Sequence, residues 1–273
     1  MIHAPVDQAK SINNVMVNDK TEGEVTIIGT GKVACAFLSF FQLIDFHVAG
    51  IWGRNFQQVS NLSNKYRTHA ITDLEEIKSE WVLVCVSDDA IATIVKQLNH
   101  IKLVSITSCV FDITRFDNTS VFYPLQSFDD QFDIEMRDVS FILDGKKSDL
   151  EFLKGYCSKW EIDFHCMDLN DREKLHLVAV FYNNFTHHIL HRGTQLSKKF
   201  NLENDLFKKL INNTFKRLDL NNMFKLQTGP AVREDYSTMA KHQSQLSGDF
   251  LKLYNTISES IIRNKHELQG ETE

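Results

Sequence analysis

The apolar run Val25-Thr26-Ile27-Ile28 stops at Gly29-Thr30-Gly31-Lys32-Val33-Ala34, and from there Val33, Phe37, Phe40, Phe41 and Ile44 recur at spacings of three and four. A β-branched run ending on glycine reads as a buried central strand, and the spacing after it predicts a helix over 32–43. In this G-x-G-x-x-A turn, Gly29 permits the tight bend and Gly31 lets the backbone approach a pyrophosphate. Ala34 lets the helix lie close on the strand. The helix N-terminus then offers free N–H groups and a partial positive charge to phosphates. Gly29, Thr30, Gly31, Lys32 and Val33 are therefore candidate dinucleotide contacts, with an empty tight βα turn as the alternative.

The same rhythm continues downstream. Strands are expected at 48–52, 69–72, 81–86 (WVLVCV) and 103–107, alternating with helices at 55–66 and 90–98. This order predicts an α/β fold with a mostly parallel, doubly wound sheet. Further strands are expected at 121–128 and 139–143, then a helix at 149–160 and an extended 162–166. Beyond Asp171 the chain reads as helical. Leu175, Val178, Tyr182, Phe185, Ile189 and Leu196 predict one long interior helix, and 204–218 and 237–262 predict two more, with a loop at 227–231. Three Pro and 11 Gly, against roughly 14 and 19 at average usage, leave room for such helices. The expected domains are a mobile tail at 1–23, a dinucleotide-binding domain at 24–168 and an all-α domain at 169–273.

A hydrophobic content of 42% with 20 Phe is enough for a sizeable core. A net charge of -6 removes any general electrostatic reason to bind nucleic acid or an anionic membrane. No apolar run approaches the roughly 20 residues that span a bilayer, and the polar start lacks a signal-peptide core. Five scattered cysteines without C-x-x-C suggest neither a disulfide framework nor a zinc site, and fit a reducing cytoplasm. His187, His188 and His191 contain an i, i+4 pair but no H-E-x-x-H, so no metal is expected.

After the second expected strand the chain reads Gly53-Arg54-Asn55, with no carboxylate for an adenosine ribose. A guanidinium there can grip a 2′-phosphate, so Arg54 and Asn55 favour NADP(H) over NAD(H); a merely solvated Arg is the alternative. Val86, Ser87 and Asp88, followed by Asp89, leave the next core strand, and Ser108 and Cys109 leave the one after. Both segments should border the nicotinamide, although Asp88 or Asp89 can equally be a helix cap. Nothing local marks Cys109 as an activated nucleophile. His176, Asn183 and His187 fall within about 20° of one another at 100° per residue, a polar seam that could donate a proton or simply hydrogen-bond at an interface.

The glycine turn, Tyr123-Pro124-Leu125-Gln126-Ser127-Phe128, the stretch from Leu175-His176 to Asn184, and Thr228-Gly229-Pro230-Ala231-Val232-Arg233-Glu234-Asp235 with His242 resemble Rossmann-like proteins carrying a DUF2520 C-terminal domain. The resemblance spans about 24–262. It implies an NADP-dependent oxidoreductase fold related to pyrroline-5-carboxylate reductase, with a helical domain like the C-terminal domain of 6-phosphogluconate dehydrogenase. It also implies cleft positions for Gln126, His176, Asn184, Gly229, Pro230, Arg233, Asp235 and His242. Two residues depart from the family pattern: Tyr123 stands where His is usual, and Glu234 where Gly is usual. The expected function is a cytoplasmic, dimeric reductase acting on a small carbonyl or imine in an interdomain cleft. His176 is the expected proton donor, Asn184 an orienting partner, and Arg233 an anchor for a substrate carboxylate or phosphate. A non-catalytic NADP(H)-binding sensor or assembly protein is the rival.

Overall fold

The computed structural model describes residues 23–129 and 135–270. The stretch expected to be a tail lies outside them, apart from Gly23. The chain divides into two compact units, the first ending at Asn183 and the second beginning at Asn184. The expected boundary at 168 lies where helix replaces strand, whereas this division falls within the long helical segment.

The first unit is built on one eight-stranded sheet, β1 Glu24–Ile28, β2 His47–Trp52, β3 His69–Ala70, β4 Trp81–Val84, β5 Leu103–Ile106, β6 Thr119–Pro124, β7 Phe141–Asp144 and β8 Phe164–Cys166. Their order is β3-β2-β1-β4-β5-β6-β7-β8. All neighbouring pairs are parallel except β6 with β7, as alternating strand and helix require. Register pairs Ile28 with both Trp52 and Val84, Val84 with Ile106, and Ile106 with Val121. One row therefore crosses five strands, and the segments leaving β1, β2, β4 and β5 emerge together at the carboxyl edge.

Side chains alternate faces along each strand, so the two core clusters divide between the faces. On one face lie Val25, Ile27, Leu83 and Phe122 with Phe37, Phe40 and Phe41 of α1 (Lys32–Leu43) and Leu153 and Cys157 of α4 (Lys147–Lys159). Trp81 and Trp160 complete this aromatic core, their rings stacked 6.1 Å apart. On the other face Ile28, Val82, Val84, Val104, Ile106 and Val121 pack under Ile91, Ile94 and Val95 of α3 (Asp88–Gln97). Helix α2 (Phe56–Tyr66) covers the β2 side through Val59.

The expected long helix is interrupted. Helix α5 (Leu169–Ala179) passes into a π-helical segment, Val180–Phe185, before α6 (Thr186–Lys199). Nor is its apolar stripe interior: Val178, Tyr182 and Phe185 are all exposed. A period of 3.6 identifies a stripe without specifying what covers it. In the second unit α7 spans Asp205–Lys216. The single helix expected at 237–262 is two, α8 (Tyr236–Gln243) and α9 (Gly248–Gly270), divided by Gly248 at φ +56°.

Candidate cofactor and active site

The turn after β1 has the conformation its glycines predict. Gly29 lies at φ +128°, and a Cβ there would sit 2.2 Å from the Cys85 carbonyl oxygen, so no side chain fits. Gly31 is the N-cap of α1 and supplies no side-chain cap, and nothing lies within 4 Å of where its Cβ would be. The first turn of α1 therefore faces open space, carries no acidic residue, and begins with exposed Lys32 and half-buried Val33. These features fit a pyrophosphate. Thr30 is held by a hydrogen bond from its hydroxyl to Gln58 Oε1 at 2.9 Å. Gly53 packs beneath it, where a Cβ would meet Thr30 Cγ2 at 2.8 Å.

At the end of β2, Arg54 is exposed and its guanidinium has no partner among the described residues. Asn55 is occupied: it is the N-cap of α2, its side chain accepting from Gln58 N at 3.2 Å. Its carbonyl accepts from Val59 N at 3.1 Å, which leaves the side-chain Nδ2 for a ligand. Beyond β4, Val86 is half-buried and exposed Ser87 is the N-cap of α3. Asp88 and Asp89 are not caps but lie inside the first turn of α3, because the helix begins two residues before the expected Ala90. Two carboxylates on that helix start repel phosphate, so of the neighbouring α1 and α3 termini only α1 suits a pyrophosphate.

Ser108 and Cys109 follow β5. Both are buried, and Ser108 Oγ has no hydrogen-bond partner among the described residues. Burial pushes the Cys109 thiol up to about 11 against the opposing pull of Arg172, which favours the neutral thiol. Its sulfur contacts the Arg172 carbonyl oxygen at 3.3 Å.

Arg172 has a role that its sequence context does not signal. This side chain is fully buried and clamps several segments. Its guanidinium donates to the Cys109 carbonyl, to the Phe111 carbonyl at 3.2 Å and to Asp144 Oδ2 at 3.0 and 3.1 Å. It thereby ties the loop after β5 to the end of β7 and the start of α5. An isolated charge near a helix start usually reads as solvated, so the sequence carries no sign of this role.

Tyr123 lies near the end of β6, two residues past the paired row. Burial pushes its hydroxyl up to about 12, with Cys109 and Asp88 adding to the shift. Just beyond, exposed Gln126 is turned by its backbone bond to the Pro124 carbonyl at 2.8 Å. Ser127 Oγ accepts a short hydrogen bond from Asn183 Nδ2, which brings the π segment to the β6 exit. His176 is half-buried on α5.

In the second unit, Gly229 adopts φ +114° and Pro230 accepts from Asp235 N at 2.9 Å, closing a compact turn that leaves Arg233 exposed. Asp235 caps α8: its carboxylate accepts from Thr238 N at 3.0 Å and Thr238 Oγ1 at 2.7 Å, and those bonds hold it below the usual carboxylate range. His242 Nδ1 is 3.0 Å from Tyr254 Oη, and Asn184 is exposed. Among the described residues no group of His, Cys, Asp and Glu could hold a metal ion.

The strand order β3-β2-β1-β4-β5-β6, with a glycine turn where it reverses between β1 and β4, defines a Rossmann-like dinucleotide-binding fold followed by a helical part. Residues 139–261 match the family described as Domain of unknown function (DUF2520). A Bacteroides fragilis protein provisionally described as an NADP oxidoreductase has a similar structure, with 27% identity, TM-score 0.79, and coverage of 88% of this chain and 98% of that one. At 11% identity, a pyrroline-5-carboxylate reductase from Coxiella burnetii shares the fold, with TM-score 0.55 over 91% of this chain and 99% of that one. At 14% identity, so does a reductive aminase from Aspergillus terreus in complex with NADPH and ethyl-5-oxohexanoate, with TM-score 0.64 over 89% and 95%. No curated protein matches the sequence.

Proposed function

We propose that this chain is an NADP(H)-dependent oxidoreductase acting on a small carbonyl or imine compound. The observation that carries this reading is the unpartnered Arg54 guanidinium at the end of β2, beside a glycine turn that leaves the first turn of α1 open. Gly31, Lys32 and Val33 would hold the pyrophosphate and Arg54 the 2′-phosphate, while Ser87, Asp88 and Ser108 would border the nicotinamide. Bound cofactor supplies a hydride at nicotinamide C4. The similarity to the Bacteroides fragilis protein supports the oxidoreductase assignment, and the carbonyl or imine class accords with the reductase and aminase that share the fold.

Arg233, an exposed cation with the Asp235 carboxylate two residues on as a charged neighbour, is suited to anchoring a substrate carboxylate or phosphate. We assign the second unit to a homodimer contact, because Ala231 and Met239 are the only buried hydrophobic side chains among its described residues. Five cysteines outside any disulfide suit a reducing cytoplasm, and no helix of the described residues is long and apolar enough to cross a membrane.

Fluorescence titration tests the cofactor assignment. NADPH should bind more tightly than NADH, and Arg54→Ala should weaken NADPH by about 10-fold or more with little effect on NADH, the scale of one charge-assisted contact. Absence of binding by either nucleotide overturns the reading.

A further inference from the structure

Strand β6 runs past its parallel neighbours. Val121 pairs with Ile106, so Tyr123 stands two residues, or about 7 Å, beyond the row at which β1, β4 and β5 end. Alternation returns Tyr123 to the face of Val121, the one covered by α3, and its ring packs on that core. Ser108 likewise lies two residues beyond Ile106 on the adjacent strand, and the intervening Thr107 still donates to the Val84 carbonyl at 3.1 Å. Two hydroxyls are thus brought to one corner, between the exits of β5 and β6. Asp88 from α3 and Cys109 from the β5 loop are close enough to act on the phenol electrostatically.

Neither hydroxyl is satisfied within the protein. Ser108 Oγ is buried with no partner, and the Tyr123 hydroxyl has none among the described residues. A buried hydroxyl left unpaired costs about 1–3 kcal/mol, so Ser108 calls for a polar group that arrives from outside, and the half-buried Tyr123 hydroxyl is open to the same group. That corner is the nicotinamide end of the site as read above. The adenosine end, at Arg54 beyond β2, is four strand spacings or roughly 19 Å from β6.

We propose that Tyr123 is the proton donor of the reaction, its phenol facing the oxygen or nitrogen of the carbonyl or imine, with Ser108 as a second hydrogen-bonding group. This rests on the cofactor reading given under Proposed function. As the substrate carbon accepts hydride, the π pair of its double bond passes to oxygen or nitrogen, which takes the phenolic proton. Water then returns a proton to the phenolate. A phenol held neutral by burial remains a donor throughout the physiological range, where a histidine would titrate.

The test begins without a substrate. In protein carrying 13C at Cζ of its six tyrosines, the Tyr123 resonance is the one absent from Tyr123→Phe. It should move on saturation with NADPH and stay in place with 2′-phospho-ADP-ribose, which has the same phosphates but no nicotinamide. Tyr123→Phe should bind NADPH within about 2-fold of wild type. For a keto acid or cyclic imine that wild type reduces, it should lose about 100-fold or more in kcat, the scale of one general acid. An unmoved signal at NADPH saturation, or turnover by Tyr123→Phe at the wild-type rate, overturns the proposal. Failure of wild type to bind NADPH overturns instead the cofactor reading beneath it.

Discussion

Glu234 occupies a backbone conformation that suits glycine. It lies at φ +54°, which costs a residue bearing a Cβ about 1–2 kcal/mol. The family resemblance leads one to expect Gly there, and this chain holds the turn through the side chain. From α9, Lys265 Nζ donates to Glu234 Oε1 at 2.6 Å, and His266 Nε2 lies 3.1 Å from the same oxygen. Those partners, Lys265 foremost, hold the carboxyl below its ordinary range. A depressed carboxyl stabilises the fold above its unfolded value and loses that contribution as pH falls through the folded one. Glu234→Gln should therefore melt at a lower temperature than wild type near neutral pH, with the gap closing below about pH 4. Calorimetry across that range checks it. The departure at 234 was legible in the sequence. Its cause was not, because nothing in the local residues signals a left-handed backbone.

Among the elements, α5 shows how a helix can be recognised and its purpose missed. The apolar spacing predicted it, and its N-cap Asp168 accepts from Asp171 N at 3.0 Å. What α5 delivers to the site, however, is Arg172. Arg172→Ala would leave Asp144 and two backbone carbonyls without their partner, and urea denaturation should show a loss of about 3–5 kcal/mol, as for a broken buried pair. Helices α8 and α9 illustrate a different limit. Gln243 donates to Asn255 Oδ1 at 3.0 Å, and His242 meets Tyr254, each pair 12 residues apart. A continuous helix would separate such residues by about 18 Å, so the chain must reverse between them. Both segments carry helical periodicity, and no proline marks the break.

At the scale of the molecule, the two units differ in how far they supply their own cores. The first encloses two clusters on either face of its sheet. The second leaves large apolar side chains in water, with Leu206 and Leu210 of α7 67% and 63% exposed. At about 1.5–3 kcal/mol per fully buried Leu, covering such side chains is a strong drive to associate, and an isologous pair is the simplest closed solution. Sedimentation velocity should report a dimer, and Leu206→Glu combined with Leu210→Glu should shift it to monomer.

The sequence by itself determined the α/β alternation, the glycine turn and the helix it opens, because these rest on local conformation and on periodicities of 2 and 3.6. It also placed Arg54 at a strand end without a carboxylate. Tertiary structure decided which residues meet. The register of β6 against β5 sets Tyr123 beside Ser108, the fold of α5 buries Arg172 against Asp144, and the π segment presents Asn183 to Ser127. Those juxtapositions join residues 15 to 56 positions apart, through pairing and packing that no local window contains.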